Sequence, residues 1–447
     1  MSDVLDQSAL EARAMALVDA ARRAGADAAD AVAVRGQSLS VDVRLGKVEE
    51  AERAEGDDFG LRVFVGRRNA TVSANAFTDP AELAARAVAM ARVAPEDPYA
   101  DLADPAELAT AFPDLDLLDP STPGSADLAA RALAAEDAAR AVAGVSNSGG
   151  ARASWSLGGL VLVTSTGFRG SYLASRHSLS VTAIAGEGTA MQRDYEGGSK
   201  AWYGDLDPAE TMGRKAGERA VRRLAPRKVP TQTAAIVWEP RSAVSLVAHL
   251  SSAINGASIA RKTSFLKDKL GQRLFAAGVR ISDNPLRPRG LGSRPFDGEG
   301  LSPQPLDIID DGVLTTWFLD CATARELGLK SNARASRGVG SPSPGATNLT
   351  LHAGTVAAAD LIASVGTGLY VTDMIGSGVN GVTGDYSRGA SGFWIENGEL
   401  AYPVSEITVA GNLVDMFSRL TPADDLEYRY GTNAPTVAID GLTIAGR

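Results

Sequence analysis

The stretch VGTGLYVTDMIGSGVNGVTGDYSRGASGFWIENGEL, residues 365–400, reads as a series of short strands broken by nine glycines. ENGEL at its end carries a hairpin signal, with Asn397–Gly398 in the turn. A large, highly curved antiparallel sheet accounts for so many glycines, because each permits a bend, a bulge or close backbone approach. The neighbouring segments agree. TAAIVWEP (233–240) reads as a buried strand, DIIDDGVLTTWFLD (307–320) as a hairpin turning at Asp311–Gly312, and TVAIDGLTIAG (436–446) as further strands. Between them, Arg241 to Ile259 has Val244, Val247, Leu250 and Ile254 on one helical face, and Thr323 to Leu329 is a short helix. Residues 331–350 are rich in Gly, Ser and Pro and read as loop.

The first half has a different texture. Residues 5–24 form an amphipathic helix, with Leu10, Ala14, Leu17, Val18 and Ala21 at helical spacing. SLSVDVRL (38–45) alternates with period two and predicts a half-buried strand. GLRVFVGRRNATVSA (60–74) reads as a hairpin with Gly66 to Asn69 as its turn. Asp79 is an N-cap with Pro80 at N1 of a helix. Residues 97–124, rich in Asp and Pro, read as a surface connection. Ser125 to Val142 is an Ala-rich helix, two or three strands follow, and a helix over 207–224 closes this half. RKVPTQT (227–233) reads as a linker. The fold class expected is α+β, in two domains: 1–226 with helices packed on an antiparallel sheet, and 234–447 built on the curved, mostly antiparallel Gly-rich sheet.

Composition limits the function. Of 447 residues, 45% are hydrophobic, enough for a sizeable core, and the net charge is −10. An acidic chain repels phosphate backbones unless its basic residues gather in a patch. The densest basic run, Arg222–Arg223 with Arg227–Lys228, is short and sits at a helix end. Direct nucleic-acid binding is therefore not expected. No run reaches the roughly 20 apolar residues of a membrane span, the N-terminus is acidic where a secretory signal is basic, and a single cysteine excludes an internal disulfide. A cytoplasmic protein is expected.

The chain offers little self-contained chemistry. His177, His249 and His352 have no His, Cys or Glu at a recognised ligand spacing, whereas a catalytic zinc usually takes three protein ligands. Cys321 precedes a helix, where the dipole favours a thiolate, but reads better as a small buried residue. GSGVNGVTGDYSRG (376–389) lacks the Gly-Lys-Ser/Thr of a P-loop and precedes strands rather than a helix. Asp310–Asp311 is explained by its hairpin turn.

VNGVTGDYSRGASGFWIENGELAYPVSEITVAGN (379–412) closely resembles the signature segment of the PmbA, or TldE, proteins of the TldD/PmbA peptidase family. GLRVFVG, TSFLKDKLGQRLF (263–275), the DDGVL hairpin and ARELGLKSNARASRG (324–338) carry the resemblance across almost the whole chain. In that family, TldD subunits hold zinc on a His-Glu-x-x-x-His helix with a Cys near the C-terminus. With Thr263–Ser264 as anchor, the first ligand position falls on Val247, the general base on Ala248 and the second ligand on Ser252, leaving His249 out of register. RYGTNAPTVAI (429–439) stands where the Cys is expected.

The resemblance implies a metal-free subunit that pairs with a zinc-bearing TldD-type partner and helps enclose extended, unfolded peptides. The chain's own cofactor is expected to be none. A Gly-rich sheet suits peptide addition at an exposed edge. Asn380, Asp385, Tyr386, Ser387 and Arg388 combine donors, acceptors and an aromatic for this; equally, Asp385 to Arg388 could form a tight turn that only holds the sheet. Two alternatives stay open: an autonomous peptidase acting as a homodimer, and a regulator of gyrase-associated proteins.

Overall fold

The computed structural model describes residues 6–75 and 78–446, and the fold is mixed α+β. Helix α1 (Ser8–Arg23) buries Leu10, Ala14, Leu17, Val18 and Ala21 as their spacing dictates; residue 5, included in the expected helix, lies outside the described residues. The first sheet has strands β1 (Ala28–Arg44), β2 (Lys47–Val65), β3 (Arg68–Asn75), β4 (Val145–Thr164), β5 (Arg169–Ala185) and β6 (Gln192–Lys200). Their order is β3-β2-β1-β4-β5-β6, antiparallel throughout.

Strand β1 starts ten residues before the alternating run that predicted it. Its early part, AADAVAV, is buried on both faces, so no polar face gives it a period of two. Ala29, Ala31 and Ala33 pack under α1 and helix α2 (Pro80–Val93), while Val41 and Val43 pack under α3 (Ser125–Arg140) and α4 (Ala209–Arg222). All are odd-numbered residues of one unbroken register, so the four helices cover a single face. As read from the sequence, Asp79 caps α2, its side chain accepting from the amides of Ala81 and Glu82.

The curved sheet of the second half closes on itself. Its strands are β7 (Gln232–Trp238), β8 (Gly368–Ile375), β9 (Asp385–Glu396), β10 (Glu399–Asn412) and β11 (Val437–Ala445). The order β10-β9-β8-β7-β11 is completed when Thr408–Ala410 of β10 pair with Thr443–Ala445 of β11. Only β7–β8 is parallel within this ring. Closure removes free edges along the paired segment. The helix expected over 241–259 is two helices, α5 (Pro240–Ala253) and α6 (Gly256–Ala260). Asn255 breaks it: its side chain caps α6 at Ala257 N, and the Gly256 amide turns to Phe318 O. α5 buries Leu246, Val247 and Leu250 in the core shared with the sheet.

The face of the first sheet away from its helices meets the second half. Val32, Leu162 and Phe168 pack with Phe296 there. Beside them, Asp30 accepts from Arg62 (2.5 Å) and from Arg337 (2.5 Å), with the three side chains 1%, 8% and 0% exposed. Arg337 comes from the Gly/Ser/Pro stretch that reads as loose loop. Gly60 on β2 admits that loop, since a Cβ there would lie 2.0 Å from Val339 O. Arg334 of the same stretch is fully buried against Asp283 (2.6 Å).

Burial alone would raise the Asp30 pKa, but Arg337 and Arg62 together hold it below the ordinary carboxylate value. Its contribution is therefore present above that ordinary value and lost as pH falls through the depressed one. Asp30→Asn leaves two buried guanidiniums short of an anion and is expected to cost about 3–5 kcal/mol in chemical denaturation at neutral pH. Glu299 has the opposite sign. It accepts from Cys321 N (2.7 Å), and burial pushes its pKa up to about 7 despite Arg62 at 4.0 Å. Its contribution is full below the unfolded value and lost as pH rises through the folded one. Glu299→Gln is expected to flatten the fall in melting temperature between about pH 5 and pH 8.

Candidate functional site

Helix α5 and the segment 376–412 carry the residues singled out by the sequence, and the structure brings part of each set together. On α5, Val247 is 3% exposed and embedded in the core. Ala248 and Ser252 face outward, and the Ser252 hydroxyl donates to the Ala248 carbonyl (3.0 Å). Two positions five apart on a regular helix diverge by about 140°, so one lies inside and the other outside. Val offers no lone pair, and Ser is a weak ligand beside imidazole or thiolate. Among the described residues, no group of three His, Cys, Asp or Glu is arranged to hold an ion. These residues do not fit a divalent metal.

The C-terminal loop lies against α5. Asn433, 1% exposed, organises it: Oδ1 accepts from the amides of Arg429 and Tyr430, and Nδ2 donates to the Tyr430 carbonyl. An amide-held turn stands where the resemblance leads one to look for a thiolate.

His249, out of register in the sequence comparison, meets the signature segment in space. Its ring lies edge-to-face on Tyr386 (5.9 Å, 76°). Burial, and then the Arg388 charge, lower its pKa to about 4, so the imidazole is neutral at physiological pH. No sequence signal could join residues so far apart in the chain. The other histidines are isolated from it. His177 is fully buried beside Asp119 (3.3 Å), and His352 shares a hydrogen bond with Ser282 (2.7 Å). Cys321 is buried, and its thiol is pushed far upward by burial and by Glu299, so it is no nucleophile at neutral pH.

Asn380 opens the turn over 381–383, while Asp385, Tyr386, Ser387 and Arg388, which could have formed a tight turn, are instead the first residues of strand β9. Asn380 Oδ1 accepts from Val382 N (2.9 Å) and Thr383 N (3.3 Å), and its own amide donates to Asp385 O (2.8 Å). Hydrogen bonds from Thr383 and Asn412 hold the Asp385 pKa below its ordinary value. Ser387 N donates to Gly378 O (2.7 Å), where a Cβ on Gly378 would lie 1.9 Å from Ser387 O. Arg388 Nε donates to Gly376 O (2.8 Å). Tyr386 points inward, 1% exposed. Residues 385–388 thus pair with β10 on one side and with 376–380 on the other. The open edge imagined for an added peptide strand is filled here by the chain itself. The outer surface of the turn is apolar in places, with Ile375 64% and Val382 59% exposed.

Comparison with known proteins accounts for most of the chain. Residues 29–91, 118–224 and 231–446 match, in turn, the PmbA/TldA metallopeptidase domain 1, central domain and C-terminal domain. Metalloprotease PmbA of Escherichia coli O157:H7 is 38% identical over 94% of this chain and 93% of its own length. The PmbA homologue of Haemophilus influenzae is 36% identical over 96% and 94%. Among solved structures, a candidate modulator of DNA gyrase from Bacteroides thetaiotaomicron superposes with a TM-score of 0.90 at 27% identity, covering 99% of this chain and 100% of that one. TldE from Thermococcus kodakarensis shares the fold, with a TM-score of 0.85 at 18% identity over 96% and 99%.

Arg388 separates a binding role for the turn from a holding role. Arg388→Ala is expected to raise the His249 pKa from about 4 toward its ordinary value of 6.5, followed by NMR titration of the ring protons. If Arg388 only holds the start of β9 against 376–380, thermal stability falls and peptide turnover in a mixture with a TldD-type protein is unchanged.

Proposed function

Because the chain belongs to the PmbA/TldD metallopeptidase family, we propose that it is the metal-free subunit of a two-subunit cytoplasmic peptidase, whose TldD-type partner supplies zinc and the general base. One observation carries this reading: the α5 positions matched to the metal helix are a buried valine, an outward alanine and a serine bonded to its own helix. None of them can activate water, and nothing else on α5 or the adjoining loop replaces them.

What such a subunit contributes is surface and shape. It helps enclose an extended, unfolded peptide for proteolysis or maturation. The exposed turn at 376–388, with Ile375 and Val382 outward and Arg388 beside them, is the surface of this chain best suited to touch peptide or partner. Apolar side chains next to a cation suit contacts that tolerate many sequences.

A regulatory role at gyrase has weaker support. It rests on the description of the Bacteroides relative, and the net charge of −10 opposes direct contact with DNA.

The test is peptide cleavage by this chain alone, by a TldD-type partner alone and by the two mixed. Activity confined to the mixture is the expected result. A stoichiometric metal in the lone polypeptide, together with hydrolysis by it, would overturn the reading.

A further inference from the structure

A cavity of about 230 Å³ opens where strand β6, helix α4 and the start of α5 meet, with the loop 425–434 forming its remaining wall. Its lining is built from buried charge. Glu196 on β6 is 4% exposed and Glu239, just before α5, is 6% exposed. Arg219 from α4 lies 3.0 Å from Glu196 and 3.9 Å from Glu239. Arg429 from the loop donates to Glu196 Oε1 (3.2 Å), and Arg241 donates to Glu239. Asp425 and Glu427 line the opening as well, so carboxylates and guanidiniums share its wall.

These charges are held by one another: Glu196 Oε2 faces Arg219 Nη1 at 3.0 Å, and Arg241 Nη2 faces Asp194 at 2.7 Å. The carboxylates and guanidiniums are thereby fixed in place around the cavity before any ligand enters. Burial also keeps the Glu239 pKa above its ordinary value in spite of Arg241 and Arg219, which marks an anion short of counter-charge.

The presence of both signs decides the ligand. A simple anion drawn to Arg219 meets Glu196 and Glu239 at once. A simple cation drawn to Glu196 meets Arg219 and Arg429. A molecule with both signs a few bonds apart satisfies each side with charge-assisted hydrogen bonds. We propose that this cavity binds the zwitterionic backbone of a free amino acid or very short peptide, its ammonium at Glu196 and Glu239 and its carboxylate at Arg219 and Arg241. The space admits about one or two residues. Val244 supplies part of its apolar wall. The site stands apart from the turn at 376–388 and does not depend on the two-subunit reading.

The experiment is calorimetric titration of the lone full-length chain with diglycine, N-acetyl-diglycine and diglycine amide. Diglycine is expected to bind saturably with a Kd of about 1 mM or tighter, and capping either end to weaken binding at least about tenfold. Glu196→Gln is expected to weaken diglycine binding about tenfold and to leave the acetylated probe unaffected. The capped probes use the unaltered protein, so the test stands even if that variant misfolds. No saturable binding by about 50 mM diglycine, or equal binding of all three probes, would overturn the proposal and leave a cavity holding water only. Since no partner subunit or metal enters the measurement, its failure says nothing about the peptidase assembly.

Discussion

One carboxylate between two guanidiniums ties the halves of the molecule together. Asp30 sits on the first sheet, Arg62 is its cross-strand neighbour, and Arg337 arrives from the second half. The three are buried, so their attraction is little screened by solvent or salt. Such a contact differs from an apolar one in kind. Grease tolerates sliding; a carboxylate held at one oxygen by Arg62 and at the other by Arg337 tolerates only one alignment. The loop carrying Arg337 is thereby fixed in place, and with it the relation between the first sheet and the ring of strands. The cavity lined by Glu196 and Arg219 is a second place where side chains of both halves meet, at the β6 edge of the sheet.

Ring closure plays the corresponding part within the second half. Pairing of β10 with β11 occupies backbone groups that would otherwise invite another strand. Contacts to other molecules along the paired segment are then left to side chains rather than to main-chain edges. Helix α5 gives its apolar face to the same interior, with Leu246, Val247 and Leu250 buried in the core shared with the ring.

Much of this was legible from residue order. Glycine density between 365 and 400 pointed to strong curvature, and Asn397–Gly398 marks the β9–β10 hairpin. What the pattern could not carry was closure, because pairing of 408–410 with 443–445 is a long-range event with no local signature. AADAVAV escaped notice for a different reason: apolar residues on both faces erase the alternation by which strands are recognised. The 331–350 stretch misled through composition. Its Gly, Ser and Pro content suggested a loose loop, yet Arg334 and Arg337, both buried, make it a clamp. The site was half visible. Val247, Ala248 and Ser252 lie on one helix and could be singled out from residue order, whereas the meeting of His249 with Tyr386 and the charged cavity arise only when distant segments come together.

The closing strand β11 is also the last of the five to be made. Until it emerges from the ribosome, β10 and β7 each lack a neighbour, and Ile236, Trp238 and Val409 have no finished interior to enter. The second half therefore spends its synthesis as an incomplete cylinder with sticky seams, the kind of species that chaperones shield and that mispairs when crowded.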